Sequence, residues 1–254
     1  MRAIPVIIIL TAIAVIGCNT NTNTNGNQNT SRTFSQPVPE APKPKEALDP
    51  SFTSCNPYYP LKPGSRTKYT QVTSSGLVSD MTVVVDRGDN NTFIETSQTV
   101  DNRGGSELVR KEERTFACDG GRIILLAEKS EGRIQDMPSS IVNNLSPNAV
   151  FLLDPASLVK PGTTWSYSLT QTATSGGTTG SPSSPIVINF EVKGEEDITL
   201  QPFRNMKLKA VKVERKVGTN VSYDYFVKGL GFVKRESVEG TRIEMTETNL
   251  TPMQ

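Results

Sequence analysis

The feature that most constrains this chain is an apolar residue at every second position, a pattern that recurs through most of the sequence. Trp165, Tyr167 and Leu169 alternate with polar residues, and residues 186–193 repeat the pattern. A period of two sends successive side chains to opposite faces, which is typical of antiparallel strands with one buried and one solvated face. Stretches rich in Gly and Asn, such as 88–91, separate these segments and are typical of tight turns.

The alternation and the turns together predict about ten strands, with one more near the C-terminus. The predicted strands are 66–73, 77–86, 92–100, 106–117, 122–128, 164–172, 186–193, 206–216, 221–228 and 231–238, and the further one is 241–248. We therefore predict a mainly β fold: an antiparallel, strongly curved sheet or half-barrel of about ten strands. Such a sheet must close on itself, pair with a second sheet or wrap around something.

One predicted strand changes the phase of its apolar pattern. Met206, Leu208 and Ala210 lie on one face, whereas Val211, Val213 and Val217 lie on the other. A β-bulge near Ala210 would produce this change, and bulges bend the sheet in which they occur.

A short motif occurs twice in the sequence. KPGSRTKY begins at Lys62 and KPGTTWSY begins at Lys160, and each places a tyrosine five residues after the glycine. The recurrence indicates an internal repeat over 55–140 and 155–250, with two related meanders in one curved sheet. Because Pro-Gly turns before strands are common, coincidence is the alternative.

Residues 141–159 form the most apolar stretch that follows the N-terminal hydrophobic run, and they lack a clean alternation. We interpret this stretch as a linker that crosses the concave face of the sheet. It would either fill the core there or cover a cavity.

The N-terminus predicts export and lipid anchoring. The positively charged Met1-Arg2 precedes the apolar run 3–16, which is shorter than the ~20 residues that a transmembrane helix needs. The run ends in Val15-Ile16-Gly17-Cys18, which resembles the bacterial lipobox. The resemblance implies a lipoprotein signal peptide over 1–17, a diacylglyceryl group on Cys18 and N-acylation by a fatty acid such as palmitate. An ordinary secretory signal that happens to end in a cysteine is the alternative.

The segment that follows has the composition of a tether. Residues 19–30 contain no apolar side chain and 37–50 are rich in proline, so 18–50 is predicted to be a lipid anchor and disordered spacer. Asn19 directly after the cysteine resembles the enterobacterial pattern for outer-membrane sorting. The folded part is then a single β domain over 51–254.

Cys55 and Cys118 remain once Cys18 carries lipid. An even pair in an oxidising compartment predicts a structural disulfide between them. Two unpaired buried thiols or a redox pair are the alternatives, but the chain has no CxxC spacing and no histidine.

Two segments carry a family resemblance. YYPLKPGSRTKY at 58–69 and YFVKGLGFVKR at 225–235 resemble the opening and closing segments of uncharacterised periplasmic and lipid-anchored bacterial domains. Those domains are similar to the LolA-like and LppX-like half-barrels that carry lipoproteins and lipids. The resemblance covers most of 55–248, but Lys68 or Thr67 stands where tryptophan is usual. It implies a concave apolar surface for acyl chains and no catalytic residue.

The composition argues against several functions. The chain has 27 Lys and Arg against 26 Asp and Glu, so no overall field favours nucleic acid. It has no histidine, which removes the usual general base and the commonest zinc ligand. Ser65 and Lys68 match the S-x-x-K nucleophile motif, but they enter a strand rather than a helix. We therefore predict no enzyme activity, no cofactor and no metal site.

Two functions remain from the sequence. The first is a membrane-anchored lipoprotein of the bacterial cell envelope whose concave face binds a lipid or other apolar ligand. It would lie at the periplasmic side, in the outer rather than the inner membrane, or at the cell surface. Its candidate wall residues are Trp165, Tyr167, Phe190 and Tyr225. The alternative is a structural or assembly lipoprotein that docks an envelope protein complex without a small-molecule ligand.

Overall fold

The computed structural model describes residues 40–103, 106–134 and 137–253. Its fourteen strands are β1 Arg66–Val72, β2 Val78–Arg87, β3 Phe93–Arg103, β4 Ser106–Asp119, β5 Arg122–Ile134, β6 Met137–Leu145, β7 Val150–Leu152, β8 Thr164–Ser175, β9 Thr178–Thr179, β10 Ile186–Ile198, β11 Leu208–Val217, β12 Asn220–Val227, β13 Gly231–Ser237 and β14 Arg242–Thr248. Two short helical segments accompany them, α1 at Pro155–Leu158 and a 3₁₀ turn at Gln201–Phe203. Within the described residues, no helix has the length and apolar character needed to cross a membrane. The predicted signal peptide 1–17, Cys18 and the tether as far as residue 39 lie outside the described residues.

Twelve of the strands close into an antiparallel β-barrel. Strands β1 to β6 pair in succession, β6 pairs with β8, β8 pairs with β10, β10 to β14 pair in succession, and β14 returns to β1. The two extra strands lie beside the ring, β7 on β5 and β9 on β8. The prediction of an open half-barrel of about ten strands was therefore wrong in closure and in number, although the mainly β, antiparallel character is confirmed.

The missed strand β6 explains the difference. Residues 141–159 were interpreted as a linker across a concave face, but 141–145 belong to β6, which pairs Glu128 with Asn143 on one side and Asn143 with Gln171 on the other. β6 thus joins the two halves of the barrel at one seam. The pairing of β14 with β1 joins them at the other seam and completes the ring.

The barrel consists of two consecutive six-stranded meanders, β1–β6 and β8 with β10–β14. Each begins with one of the two Pro-Gly turns. Gly64 and Gly162 both have φ of +82°, and their N–H groups donate to Val85 and Val192 at 2.9 and 2.8 Å. The two turns therefore have the same local geometry, which is what Gly at the left-handed position of a Pro-Gly turn provides. A common origin of 55–140 and 155–250 stays a prediction.

The two ends of the barrel differ. Because neighbouring strands are antiparallel, every second connection lies at the same end. Tight turns between β1 and β2, β11 and β12, and β13 and β14 lie at one end, the turn end. The segment before β1, both helical segments and the C-terminal residues lie at the other, which we call the covered end.

Strand β11 is buried on both faces. Val211 and Val213 belong to the larger apolar cluster, whereas Leu208 and Ala210 belong to a second cluster. Their pairing with β12 is continuous, and the only register shift beside them lies in β10, between Val192 and Gly194. The bulge predicted near Ala210 was therefore wrong: the phase change in the apolar pattern reflects two-sided burial, and the bulge is in the neighbouring strand.

Candidate functional site

The number of strands sets what the interior must contain. An eight-stranded barrel is just filled by its own side chains, whereas sixteen or more strands leave an aqueous channel. Twelve strands fall between these limits. The interior must therefore combine packed side chains with polar groups or enclosed water.

Aromatic side chains fill the covered end. Tyr59, Phe116 and Phe151 meet edge to face, with ring centroids 5.1 to 5.6 Å apart. This geometry is favoured by the ring quadrupoles and adds ~0.5–1.5 kcal/mol per pair beyond burial. We call this packed layer at the covered end the floor of the barrel. Its other buried residues include Tyr58, Leu61, Ile123, Leu125, Leu152 and Leu158.

Three of the four predicted wall residues come together. Trp165 stacks on Phe190 with centroids 4.8 Å apart and planes within 9°, and Tyr167 stacks on Phe190 at 5.8 Å. Tyr167 and Phe190 are buried in the larger apolar cluster, and Trp165 packs against it. These residues form one aromatic strip on the inner face of β8 and β10, which we call the aromatic strip.

Tyr225 lies elsewhere. It follows the inward-facing Asp224 on β12 and so points to the opposite face, where it joins the second cluster. Its hydroxyl donates to Glu236 at 2.9 Å. The structure therefore does not bring Tyr225 to the aromatic strip.

A groove borders the aromatic strip. It has a volume of about 440 Å³ and is open to solvent where β8, β10 and β11 meet. Its lining residues are Thr164, Trp165, Ser166, Asn189, Phe190, Glu191, Glu214 and Lys216.

A chain of polar side chains crosses the inner wall above the floor, and we call it the polar belt. It runs over β8, β6, β5, β4 and β3 in that order. Gln171 donates to Asn143 (3.2 Å), Asn143 to Glu128 (2.5 Å), Arg114 to Glu128 (2.6 Å) and Glu95 (3.4 Å), and Tyr59 to Glu95 (2.6 Å). Neighbouring strands pair these residues directly, so the register itself aligns the belt.

The two buried carboxylates of the belt differ in their preferred charge. For Glu128, burial favours the neutral acid, but the charge and hydrogen bond of Arg114 and the amide of Asn143 outweigh burial and lower its pKa. For Glu95, burial outweighs Arg114 and Tyr59 and raises its pKa. One belt thus contains one carboxylate that favours ionisation and one that resists it.

Two further arginines point into the lumen from the second meander. Arg235 on β13 binds Asp224 on β12 through two bonds, Nε to Oδ1 at 2.5 Å and Nη2 to Oδ2 at 2.8 Å. Burial would lower the pKa of Arg235, but Asp224 outweighs it and raises that pKa. In this fork-to-fork geometry each oxygen of the Asp224 carboxylate accepts one bond from Arg235.

Arg215 is the third lumen arginine, and it differs from the other two. Among the side chains that the structure describes, no carboxylate lies within salt-bridge distance of it and none accepts a hydrogen bond from it. Burial and then the charge of Arg235 lower the pKa of its guanidinium, and Asp224 opposes them without pairing with it. Arg215 therefore lies in a positive local potential.

The lumen contains accessible space at this level. The side chains of Arg114 and Arg235 retain 26% and 23% of their exposure although both point inward. Arg215 likewise retains part of its accessible surface, although it lies deep among protein atoms. Inward-facing side chains can show such exposure only where the interior has room for water.

Sequence reasoning missed the lumen charges, although a signal was present. Arg215 stands in the same alternation phase as Val211, Val213 and Val217, which face the interior. Gln171 likewise continues the inward phase of the aromatic strip on β8. A charged or amide side chain in the apolar phase of a strand was the pattern that pointed to this site.

A disulfide closes the covered end. Cys55 is bonded to Cys118 of β4, as predicted, with their Cα atoms 6.3 Å apart. Disulfides form and persist outside the cytoplasm, so the bond indicates an extracytoplasmic protein. Among the described residues, no group of three or more His, Cys, Asp or Glu side chains could hold a metal ion.

Comparisons with known proteins give one structural likeness. No family model matches the chain, and no curated protein sequence matches it. Among solved structures, the chain is similar to a Bacteroides fragilis NCTC 9343 protein described as exported and as having a YmcC-like fold. The TM-score is 0.47 at 11% identity, over 73% of this chain and 95% of that one.

Proposed function

We propose that this protein is a lipid-anchored component of the bacterial envelope that binds a small amphipathic ligand inside its barrel. The observation that carries the proposal is the exposure of the inward-facing arginines, because it marks space between the packed floor and the turn end. The aromatic strip offers an apolar wall beside that space. The polar belt and the arginines form a charged wall on the other side of that space. A wholly apolar ligand would leave those charges without partners, which favours an amphipathic ligand.

Anchoring is proposed from the lipobox resemblance at Cys18 and the polar tether behind it. Acyl chains on Cys18 would hold the protein at the periplasmic side of a membrane, the outer one by the Asn19 pattern, because each buried methylene contributes ~0.8 kcal/mol. Radiolabelled palmitate should be incorporated by the wild type and not by Cys18→Ser.

The ligand is tested by native mass spectrometry. The chain without its lipid anchor, residues 19–254, is secreted to a bacterial periplasm behind a cleavable signal peptide and purified without detergent. A stoichiometric adduct, identified after extraction, would support ligand binding. A clean apo mass with no uptake of added lipid or fatty acid would overturn it and favour the alternative, a lipoprotein that docks an envelope complex.

A further inference from the structure

Three hydrogen-bond donors converge on one part of the lumen wall. Among the described side chains, the Arg215 guanidinium, the Tyr167 hydroxyl and the Trp165 indole N–H have no hydrogen-bond acceptor. Phe190 lies directly opposite Arg215 in the pairing of β10 with β11, and directly opposite Trp165 in the pairing of β10 with β8. Since neighbouring strands are ~4.8 Å apart, Arg215 and Trp165 are separated by roughly 10 Å at the backbone, within the combined reach of their side chains.

The carboxylates around these donors are already engaged. Asp224 is held by both bonds of Arg235, and Glu128 is held by Arg114 and Asn143. No described carboxylate is therefore left to neutralise Arg215. A buried cation without a partner costs stability, so a fold that retains one needs a compensating reason.

We propose that Arg215 is the recognition residue for the anionic head group of the ligand, a carboxylate, phosphate or sulfate whose apolar part lies along the aromatic strip. The inference rests on the proposed function and names its substrate class. A planar guanidinium binds such oxyanions through two parallel hydrogen bonds. The Tyr167 hydroxyl adds a donor beside it, and the charges of Arg114 and Arg235 strengthen the positive potential.

The test uses decanoate as the probe and compares it with decan-1-ol and decylammonium, which share its chain length. Trp165 is the only tryptophan in the chain, and it stacks on Phe190 inside the strip, so its fluorescence reports binding directly. For the chain without its lipid anchor we expect decanoate to bind at least tenfold more tightly than decan-1-ol, because the hydrogen bonds between a carboxylate and a guanidinium are charge-assisted; a tenfold difference corresponds to ~1.4 kcal/mol. Decylammonium should bind more weakly than either.

Two variants of strand β11 test whether the preference for decanoate depends on Arg215. Arg215→Gln should lose the preference for decanoate over decan-1-ol and keep the affinity for decan-1-ol. Lys209→Gln is the matched control, because Lys209 lies on the same strand, is exposed and is not among the residues that line the groove beside the aromatic strip. It should bind all three probes as the wild type does.

The stability of the variant in urea distinguishes a ligand-binding role of Arg215 from a structural one. Because Arg215 pairs with no carboxylate among the described residues, Arg215→Gln should unfold at the same or a higher urea concentration than the wild type without probe. A merely structural arginine would instead make the variant less stable. A lower midpoint for Arg215→Gln together with an unchanged preference for decanoate would overturn the proposal.

The outcomes also distinguish this inference from the proposed function. Equal binding of decanoate and decan-1-ol to the wild type would refute recognition by Arg215 and leave ligand binding standing. No binding of any probe, combined with a clean apo mass, would refute both. A decanoate preference that survives Arg215→Gln would assign the anion to another lumen cation.

Discussion

At the scale of single residues, the two Pro-Gly turns offer a matched comparison. Gly64 and Gly162 share the same φ, but a Cβ added at Gly64 would lie 2.4 Å from the backbone of Ala47, whereas nothing lies within 4 Å of one at Gly162. Gly162→Ala should cost only the left-handed conformation, ~1–2 kcal/mol. Gly64→Ala should cost more, because the clash is with the backbone of 47–48, so the segment itself must shift where a flexible side chain would only rotate.

Urea unfolding of the two alanine variants measures the difference. We also expect the segment before β1 to become sensitive to limited proteolysis in Gly64→Ala alone, since the clash pushes it from the barrel. Equal losses of stability in the two variants would show that this contact does not hold the segment.

The two buried carboxylates of the polar belt give a second prediction at this scale. Glu128→Gln should destabilise the protein by ~2 kcal/mol at pH 7, because it removes the charge that Arg114 and Asn143 bind. Glu95→Gln should change stability by no more than ~1 kcal/mol, because burial makes the ionised form of Glu95 costly and the Gln amide oxygen can still accept from the Tyr59 hydroxyl.

The pH dependence of these variants has a definite sign. The folded-state pKa of Glu128 lies below its ordinary 4.5, so its stabilisation is present above that pH and is lost as pH falls through the folded value. The cost of Glu128→Gln should therefore shrink in acid. The pKa of Glu95 is raised, so its ionisation destabilises the fold as pH rises through the window above 4.5. Glu95→Gln should then gain on the wild type with rising pH, as urea midpoints between pH 4 and 8 would show.

At the scale of elements, the sequence allowed most strands to be predicted, because alternation and turns are local signals. All eleven predicted strands exist, with ends displaced by a few residues. β6 was missed because Ser and Asn residues occupy both of its faces and the apolar Ile141 and Val142 are adjacent, which gives no clean alternation. Closure of the ring was missed for a different reason, because it depends on pairings between distant segments, such as β14 with β1, which no local pattern reveals. The aromatic strip was predicted in part, but the lumen charges depend on which positions face inward.

At the covered end, we predict how much the disulfide between the segment before β1 and strand β4 contributes to stability. Cys55 and Cys118 link the segment before β1 to β4, and next to them the amide of the fully buried Asn56 donates to Gly121 and Leu153 at 2.8 and 2.9 Å. The disulfide spans 63 residues, so its loss should cost about 4 kcal/mol by loop closure.

The double variant Cys55→Ser and Cys118→Ser should unfold at a lower urea concentration by that amount, and reduction of the wild type should match it. Reduction should have no effect on the double variant, which is the control for other actions of the reductant. A wild type whose stability is unchanged by reduction would show that Asn56 and the aromatic floor hold the covered end unaided.

At the scale of the whole molecule, the two meanders share one interior and should not be independent. The first meander contributes Arg114 and Glu128, the second contributes Arg215 and Arg235, and mutual charge interactions join the two sets across the lumen. Each meander alone would also expose two unpaired strand edges, at the β6–β8 and β14–β1 seams. We therefore expect one cooperative unfolding transition rather than two.

The single tryptophan makes this directly measurable. Trp165 reports the second meander, whereas far-ultraviolet circular dichroism reports strands of both. The two signals should change at the same urea concentration, with the disulfide intact, because opening either seam removes partners from both meanders. A dichroism transition that is biphasic, with only one phase seen by Trp165, would show that each meander folds as its own unit. The barrel would then be an assembly of two domains, and its lumen an interface between them that could open without global unfolding.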